Sequence, residues 1–303
     1  MLTKVSHTKP YAALSPLHRE VSQAGRTVLI TGGNGGIGYA AAFAFGQAGA
    51  PRVIITGRRA DATAAAAKAL EKQLIIDGNS GGISSNTEFV GVTCDISKPE
   101  EVERLWADLK ADGVYVDVLV LNAAGISARQ SIFERGTDGI WTDYNVNVRA
   151  QLQTTERFYK QETGPSAADS PQKSLVMLST VAIHDFDINA PYPGYGLTKN
   201  AGTLLMQVIA REISPEAMQI VSFHPGAVFT QNAKTAGWKE ADLDWHDPNL
   251  AGQFAVWAAS EEARFLHGRY VWSEWDLDEL KNGDIRKRID EDENFLRIGV
   301  HGL

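Results

Sequence analysis

Tyr195 and Lys199 stand four residues apart in YGLTKNAGTLLMQVIAREIS (195–214), a helical pattern that places both side chains on one face. A phenol with a reference pKa of about 10 is a poor acid or base near neutrality. A positive charge beside it favours the phenolate and brings proton transfer to or from a substrate oxygen within reach. By itself the Tyr-x-x-x-Lys string is equally at home on a solvated helix surface. Ser179 and Thr180 close the apolar run LVMLST (175–180), and either hydroxyl could hold the same oxygen through a hydrogen bond. Asn147, in a helical stretch before that run, reads either as a further polar group of the site or as an amide bridging backbone. His184, in the polar loop HDFDIN, suits solvent as well as base chemistry. Cys94, the single cysteine, reads as a small buried hydrophobe with no activating partner nearby in sequence.

A second cluster lies far upstream. TGGNGGIG (31–38) separates the apolar run TVLIT from the helix-like IGYAAAFAFGQAGA. Glycines permit a tight turn and a close approach of backbone to a pyrophosphate, and the helix that follows offers unsatisfied N–H groups and a positive dipole end. In this strand–turn–helix context Gly32, Asn34, Gly36, Ile37 and Gly38 are candidate dinucleotide contacts. The next strand ends in Thr56-Gly57-Arg58-Arg59, where an NAD site would offer a carboxylate to the adenosine ribose. No carboxylate comes before Asp61, and the guanidinium fork matches a phosphate. NADP is therefore expected, with Arg58 as its contact and NAD as the alternative; Arg59 reads equally as a ligand or as a solvated helix-start residue. Asp95 and Ile96 end the third strand, and Asn122, Ala123 and Gly125 the fourth, at the level of an adenine and its ribose. Asp95 also suits a plain turn.

These residues require a scaffold that brings strand ends together. Short apolar, β-branched runs at 27–31, 52–57, 88–96, 116–125, 175–180 and 219–228 alternate with helical patterns, among them 99–111, 138–160 and 195–214. That alternation predicts an α/β fold: a single doubly wound Rossmann domain with a mostly parallel sheet, helices on both faces and a ligand crevice at the carboxyl ends of the strands. The expected organisation is an irregular N-terminal arm over 1–25, the Rossmann oxidoreductase domain over 26–280 with a flap at 229–250, and a C-terminal tail over 281–303. Residues 76–87 and 161–172, rich in glycine, proline and polar groups, are expected to be solvated loops. The strand-like YVW within 264–280 suggests an edge strand followed by a solvated tail, or an oligomer contact.

Composition narrows the classes of function. Among 303 residues 44% are hydrophobic, enough for a packed core. The net charge of -8, without a long basic run, argues against a nucleic-acid surface. No signal-peptide pattern and no long apolar run is read, so no membrane span and a cytoplasmic location are expected. No His/Cys/Asp cluster has metal-ligand spacing, and no metal is expected.

Together these motifs resemble the short-chain dehydrogenase/reductase family over nearly the whole chain from about residue 25. The resemblance rests on Thr31, Gly32, Gly36 and Gly38 for TGxxxGxG, on Asn122 to Gly125 for NxAG, on Tyr195 and Lys199 for YxxxK, and on Pro225, Gly226, Val228 and Thr230 in HPGAVFT. It implies that Tyr195 is the general acid in reduction, that Lys199 binds the nicotinamide ribose and lowers the tyrosine pKa, and that Asn147 holds a water of the proton relay. Pro225, Gly226, Val228 and Thr230 would fold around the nicotinamide. The family serine aligns with Thr180, about two residues farther from the tyrosine than is usual, with Ser179 as the alternative donor. Both chain ends are similar to a fungal subgroup of the family. The implied activity is NADPH-dependent reduction of a ketone or aldehyde, reversible to alcohol oxidation. A non-redox isomerase or cyclase, or a non-catalytic dinucleotide sensor, is the alternative on the same scaffold. The family also implies a small-molecule carbonyl or alcohol substrate and a homodimer or homotetramer.

Overall fold

The computed structural model describes residues 2–81, 86–162 and 172–300. Among the described residues seven strands carry the fold: β1 (Thr27–Ile30), β2 (Arg52–Gly57), β3 (Glu88–Thr93), β4 (Val118–Leu121), β5 (Lys173–Leu178), β6 (Met218–His224) and β7 (Arg269–Trp272). They form one sheet in the order β3-β2-β1-β4-β5-β6-β7, with every neighbouring pair parallel. The order reverses between β1 and β4, which opens the crevice at their carboxyl ends.

Strand alternation builds two cores. Val28 and Ile30 of β1, with Val118 and Val120 of β4, join one apolar layer; Leu29, Leu119 and Leu121 join the other. The first layer is covered by α1 (Gly36–Gln47) and α2 (Ala60–Gly81), the second by α3 (Pro99–Ala111) and a long interrupted helix. That helix comprises α4 (Ile132–Tyr144), a π-helical turn (Asn145–Arg149) and α5 (Ala150–Tyr159). Next come the short α6 (Phe186–Asn189) and the long α7 (Pro193–Glu212), then α8 (Gln231–Thr235), α9 (Pro248–Ala258), α10 (Leu277–Lys281) and α11 (Gly283–Glu291). The small residues of α1 let α9 approach so closely that a Cβ on Gly252 would lie 2.6 Å from the Ala40 carbonyl carbon.

Some expected boundaries change. The loop expected from 76 is helical to Gly81, and its turn is tied to α1 by Gln47 Nε2 donating to Asp77 (2.7 Å). Residues 82–85 of that segment, and 163–171 of the 161–172 loop, lie outside the described residues. The helix expected over 138–160 starts earlier, at a capping box in which Ser131 and Glu134 satisfy each other's backbone N–H groups, and it breaks at Gly136 (φ 66°). The arm and the tail both pack on β7 and the residues after it. Ser6 bridges Trp275, His7 N–H donates to the Glu274 carbonyl (2.9 Å), and Leu14 and Val21 are buried. The Arg269 guanidinium reaches the carbonyls of Ile289 and Phe295, while Tyr270 N–H donates to the Leu296 carbonyl (2.8 Å). Among the described residues no helix is long and apolar enough to cross a membrane.

Candidate active site

The nucleotide end is built from backbone. Gly32 and Gly36 take φ values of +69° and +54°, which an L side chain rarely adopts. A Cβ on Gly38 would sit 2.5 Å from both the Gly32 carbonyl and Asn122 Nδ2, so the glycine is what lets α1 start against the loop. Gly35 precedes the helix without any side-chain cap, and Ile37 sits in its first turn, packed on the core. This cradle of free N–H groups at a helix start fits a pyrophosphate. Asn122 shapes it from below: Nδ2 donates to the carbonyls of Thr31 (2.9 Å) and Gly32 (3.0 Å), and Thr31 Oγ1 accepts from the N–H groups of Asn122 and Ala123 (3.1 Å each). Asn34 lies over Gly57, and the exposed Arg58 and Arg59 follow directly. Asp95 serves a turn, its Oδ1 accepting from Ser97 N–H (3.0 Å) and Ser97 Oγ (2.8 Å), while Ile96 packs on the second core.

At the chemical end Tyr195 and Lys199 project from the first turns of α7, and the Tyr195 hydroxyl lies beside the Thr180 side chain. Burial raises the Tyr195 pKa above its usual value, and the neighbouring Thr180 hydroxyl opposes this. The Lys199 ammonium is buried and donates to the Leu178 carbonyl; burial pushes it down to about 8. Desolvation is the largest influence on Tyr195, and the Lys199 ammonium is directed at the end of β5.

The two hydroxyl candidates separate. Ser179 Oγ is buried and paired with Thr203 Oγ1 (2.6 Å), whereas Thr180 Oγ1 faces Tyr195 and also accepts from Ala182 N–H (3.3 Å). Asn147 occupies the π-helical turn with no exposure, and both ends of its amide are hydrogen-bonded. Oδ1 accepts from Gly125 N–H (2.8 Å), and Nδ2 donates to the Gly125 carbonyl (2.9 Å) and Thr198 Oγ1 (2.9 Å). The side chain thus ties Gly125, beyond the end of β4, to Thr198 of α7. His184 is exposed and stacks on Trp272, with ring centroids 5.9 Å apart.

Pro225 and Gly226 turn the chain after β6, and Gly226 (φ +82°) leaves room for the His246 ring. Val228 is buried. Thr230 caps α8 by accepting from Ala233 N–H (3.3 Å), and its methyl group lies against Gly36. Asn232 Nδ2 donates to the Ala124 carbonyl (3.1 Å), so the 229–250 segment spans from the glycine loop to the end of β4. Phe229 and Trp238 pack on Trp245 within it. Sequence reasoning missed Thr198, Thr203, His224, His246 and Tyr270. The signal for His224 was its position at the end of a buried strand, directly before Pro225-Gly226.

A family model described as short chain dehydrogenase matches residues 26–241. The chain is 31% identical to the short chain dehydrogenase/reductase AacuD of Aspergillus aculeatus, over 98% of this chain and 96% of that protein. It is also 31% identical to the short chain dehydrogenase/reductase nsrO of Aspergillus novofumigatus, over the same shares. The fold superposes, with a TM-score of 0.67 and 22% identity, on a 3-oxoacyl (acyl-carrier-protein) reductase from Agrobacterium tumefaciens with NADP bound, covering 84% of this chain and 94% of that one. The chain therefore belongs to the short-chain dehydrogenase/reductase family, the NAD(P)-dependent oxidoreductases built on this doubly wound sheet.

Proposed function

We propose that the protein reduces a ketone or aldehyde with NADPH. The observation that carries this reading is the pairing of the Tyr195 and Thr180 hydroxyls at the crevice, next to a glycine cradle shaped for a dinucleotide. Bound NADPH would supply the hydride from its nicotinamide ring to the carbonyl carbon. Tyr195, kept protonated by burial, donates its proton to the carbonyl oxygen that Thr180 orients. Lys199 lies one turn along α7, placed to hold the nicotinamide ribose. Asn147 contributes by fixing Gly125, at the end of β4, against α7. Pro225, Gly226, Val228 and Thr230 close the nicotinamide end. Asn34, Asp95, Ile96, Asn122 and Ala123 bound the adenosine side, where Asp95 keeps its Oδ2 for a ribose hydroxyl.

The preference for NADPH is supported by Arg58 and by the absence of a carboxylate before Asp61. The NADP carried by the similarly folded Agrobacterium reductase agrees with it. A homodimer or homotetramer through α7 is supported by Leu197, Leu204 and Val208, exposed along one face of that helix. Fluorescence titration with NADPH and NADH tests the cofactor assignment. Arg58→Ala is expected to weaken NADPH binding about tenfold and to leave NADH nearly unchanged. Equal or tighter NADH binding by the unaltered protein would restore the NAD alternative.

A further inference from the structure

Residues 179–181, which follow β5 into a 3-10 turn (Val181–Ile183), are each held by a side chain from a different element. Ser179 Oγ pairs with Thr203 of α7. The Thr180 carbonyl accepts from the buried Tyr270 hydroxyl of β7 (3.0 Å), and Val181 N–H donates to Nδ1 of the buried His224 of β6 (3.3 Å). The last two bonds meet on a single peptide unit, because the Thr180 carbonyl and the Val181 N–H belong to the same plane. In a trans peptide these groups point in opposite directions, so a plane gripped at both edges cannot rotate without breaking both bonds.

The grip is set by buried groups. His224 accepts at Nδ1, so the neutral ring carries its proton on Nε2, toward Glu274 Oε1 (3.9 Å); His246 Nδ1 lies 3.3 Å from the same oxygen. The Trp272 side chain lies beside Tyr270. Thr180 is the residue whose orientation this plane decides, since its ψ of 153° relates the side chain facing Tyr195 to the following peptide. Thr180 lies beyond the end of β5, so the sheet ladder does not restrain it. Pins from the far strands supply the restraint.

We propose that Tyr270 and His224 are positioning residues that lock the Thr180–Val181 peptide and so aim the Thr180 hydroxyl at the reacting oxygen beside Tyr195. The proposal rests on the carbonyl-reductase reading for its catalytic consequence, but the lock itself is a property of the free protein.

Three variants test it. Tyr270→Phe keeps the ring and removes the donor; His224→Leu removes the acceptor; His224→Asn retains an acceptor near the position of Nδ1. NADPH-dependent reduction of phenanthrenequinone, NADPH affinity by fluorescence, and the methyl resonance of Thr180 in threonine-labelled protein are measured, the resonance being assigned by its loss in Thr180→Ser. In Tyr270→Phe and His224→Leu, kcat is expected to fall about tenfold or more, with NADPH affinity within about twofold and the Thr180 methyl signal displaced or broadened. His224→Asn is expected to recover both kcat and the signal. Unchanged kcat with an unchanged methyl signal in Tyr270→Phe overturns the proposal, as does a parallel loss of NADPH affinity that marks general loosening. Should His224→Leu not fold, Tyr270→Phe decides. Should the unaltered protein leave the quinone untouched, the carbonyl-reductase reading fails, and the methyl signal alone still decides the lock.

Discussion

Burial pushes the two ionisable side chains of the crevice in opposite directions, and both shifts bear on which reaction runs at neutral pH. Tyr195 is raised and stays protonated, the state a carbonyl reduction needs. Lys199 is lowered to about 8, so it keeps its charge only below that point. For reduction, kcat/KM is expected to be flat across neutrality and to fall as pH rises through about 8; a rate that holds constant well into the alkaline range would contradict the role given to Lys199. Tyr195→Phe is expected to lower turnover by about a thousandfold while NADPH titrates as before. A variant that kept its rate would remove Tyr195 from the proton transfer. Lys199 also carries a linkage cost. Its folded pKa lies below the unfolded value of 10.5, so the penalty is complete below about 8 and is relieved as pH climbs toward 10.5. The Tyr195–Lys199 pair and the glycines were legible in the sequence because their meaning lies in short spacings. Tyr270 and His224 were not, because each acts on Thr180 across many tens of residues and no local pattern distinguishes them from strand-filling side chains.

At the scale of elements, the start of α1 and the π-helical turn do related work: each brings backbone close enough to another segment to shape the crevice. Gly38→Ala would put a Cβ 2.5 Å from the Gly32 carbonyl, a clash with backbone rather than with a flexible side chain. The variant is expected to lose about 1–3 kcal/mol of stability in urea denaturation. It is also expected to bind NADPH more weakly; a variant with unaltered midpoint and affinity would show that the loop has slack the packing does not suggest. The alternation of strands and helices was legible because doubly covered parallel strands read as apolar runs separated by amphipathic stretches. The start of α4 was also written locally, in Ser131 and Glu134, and went unread. The break at Gly136 and the π-helical turn were not legible. The turn exists where Asn147 must meet both Gly125 and Thr198, a demand set by the end of β4 and by α7 rather than by the helix's own residues.

Across the whole molecule, buried imidazoles set the response to acid. His224, His246 and His267 are all held below their usual pKa by burial, His224 down to about 3. Their folded pKa values lie under the unfolded value of 6.5, so the stability conferred by neutral rings is present above it and is lost as pH falls toward the folded values. Asp117 and Glu274, raised by burial, act in the opposite sense at lower pH. The urea midpoint is expected to drop between neutrality and about pH 5, with a shallower slope in His224→Asn. Identical slopes would remove His224 from the acid response. The arm and the tail looked peripheral because their sequences are irregular; the strand-like YVW marked β7 as an edge strand, but no local pattern shows which distant segments pack against it.

The docking of residues 289–297 along β7 has a consequence for solubility. A strand at the margin of a parallel sheet displays unpaired N–H and C=O groups, a template on which a neighbouring copy could add a strand and begin an aggregate. Here the Tyr270 N–H is already taken by Leu296, and Arg269 gathers the carbonyls of Ile289 and Phe295 around its guanidinium. The chain thus blunts its own sticky margin, and the same segment that shields it holds in register the strand from which Tyr270 reaches Thr180.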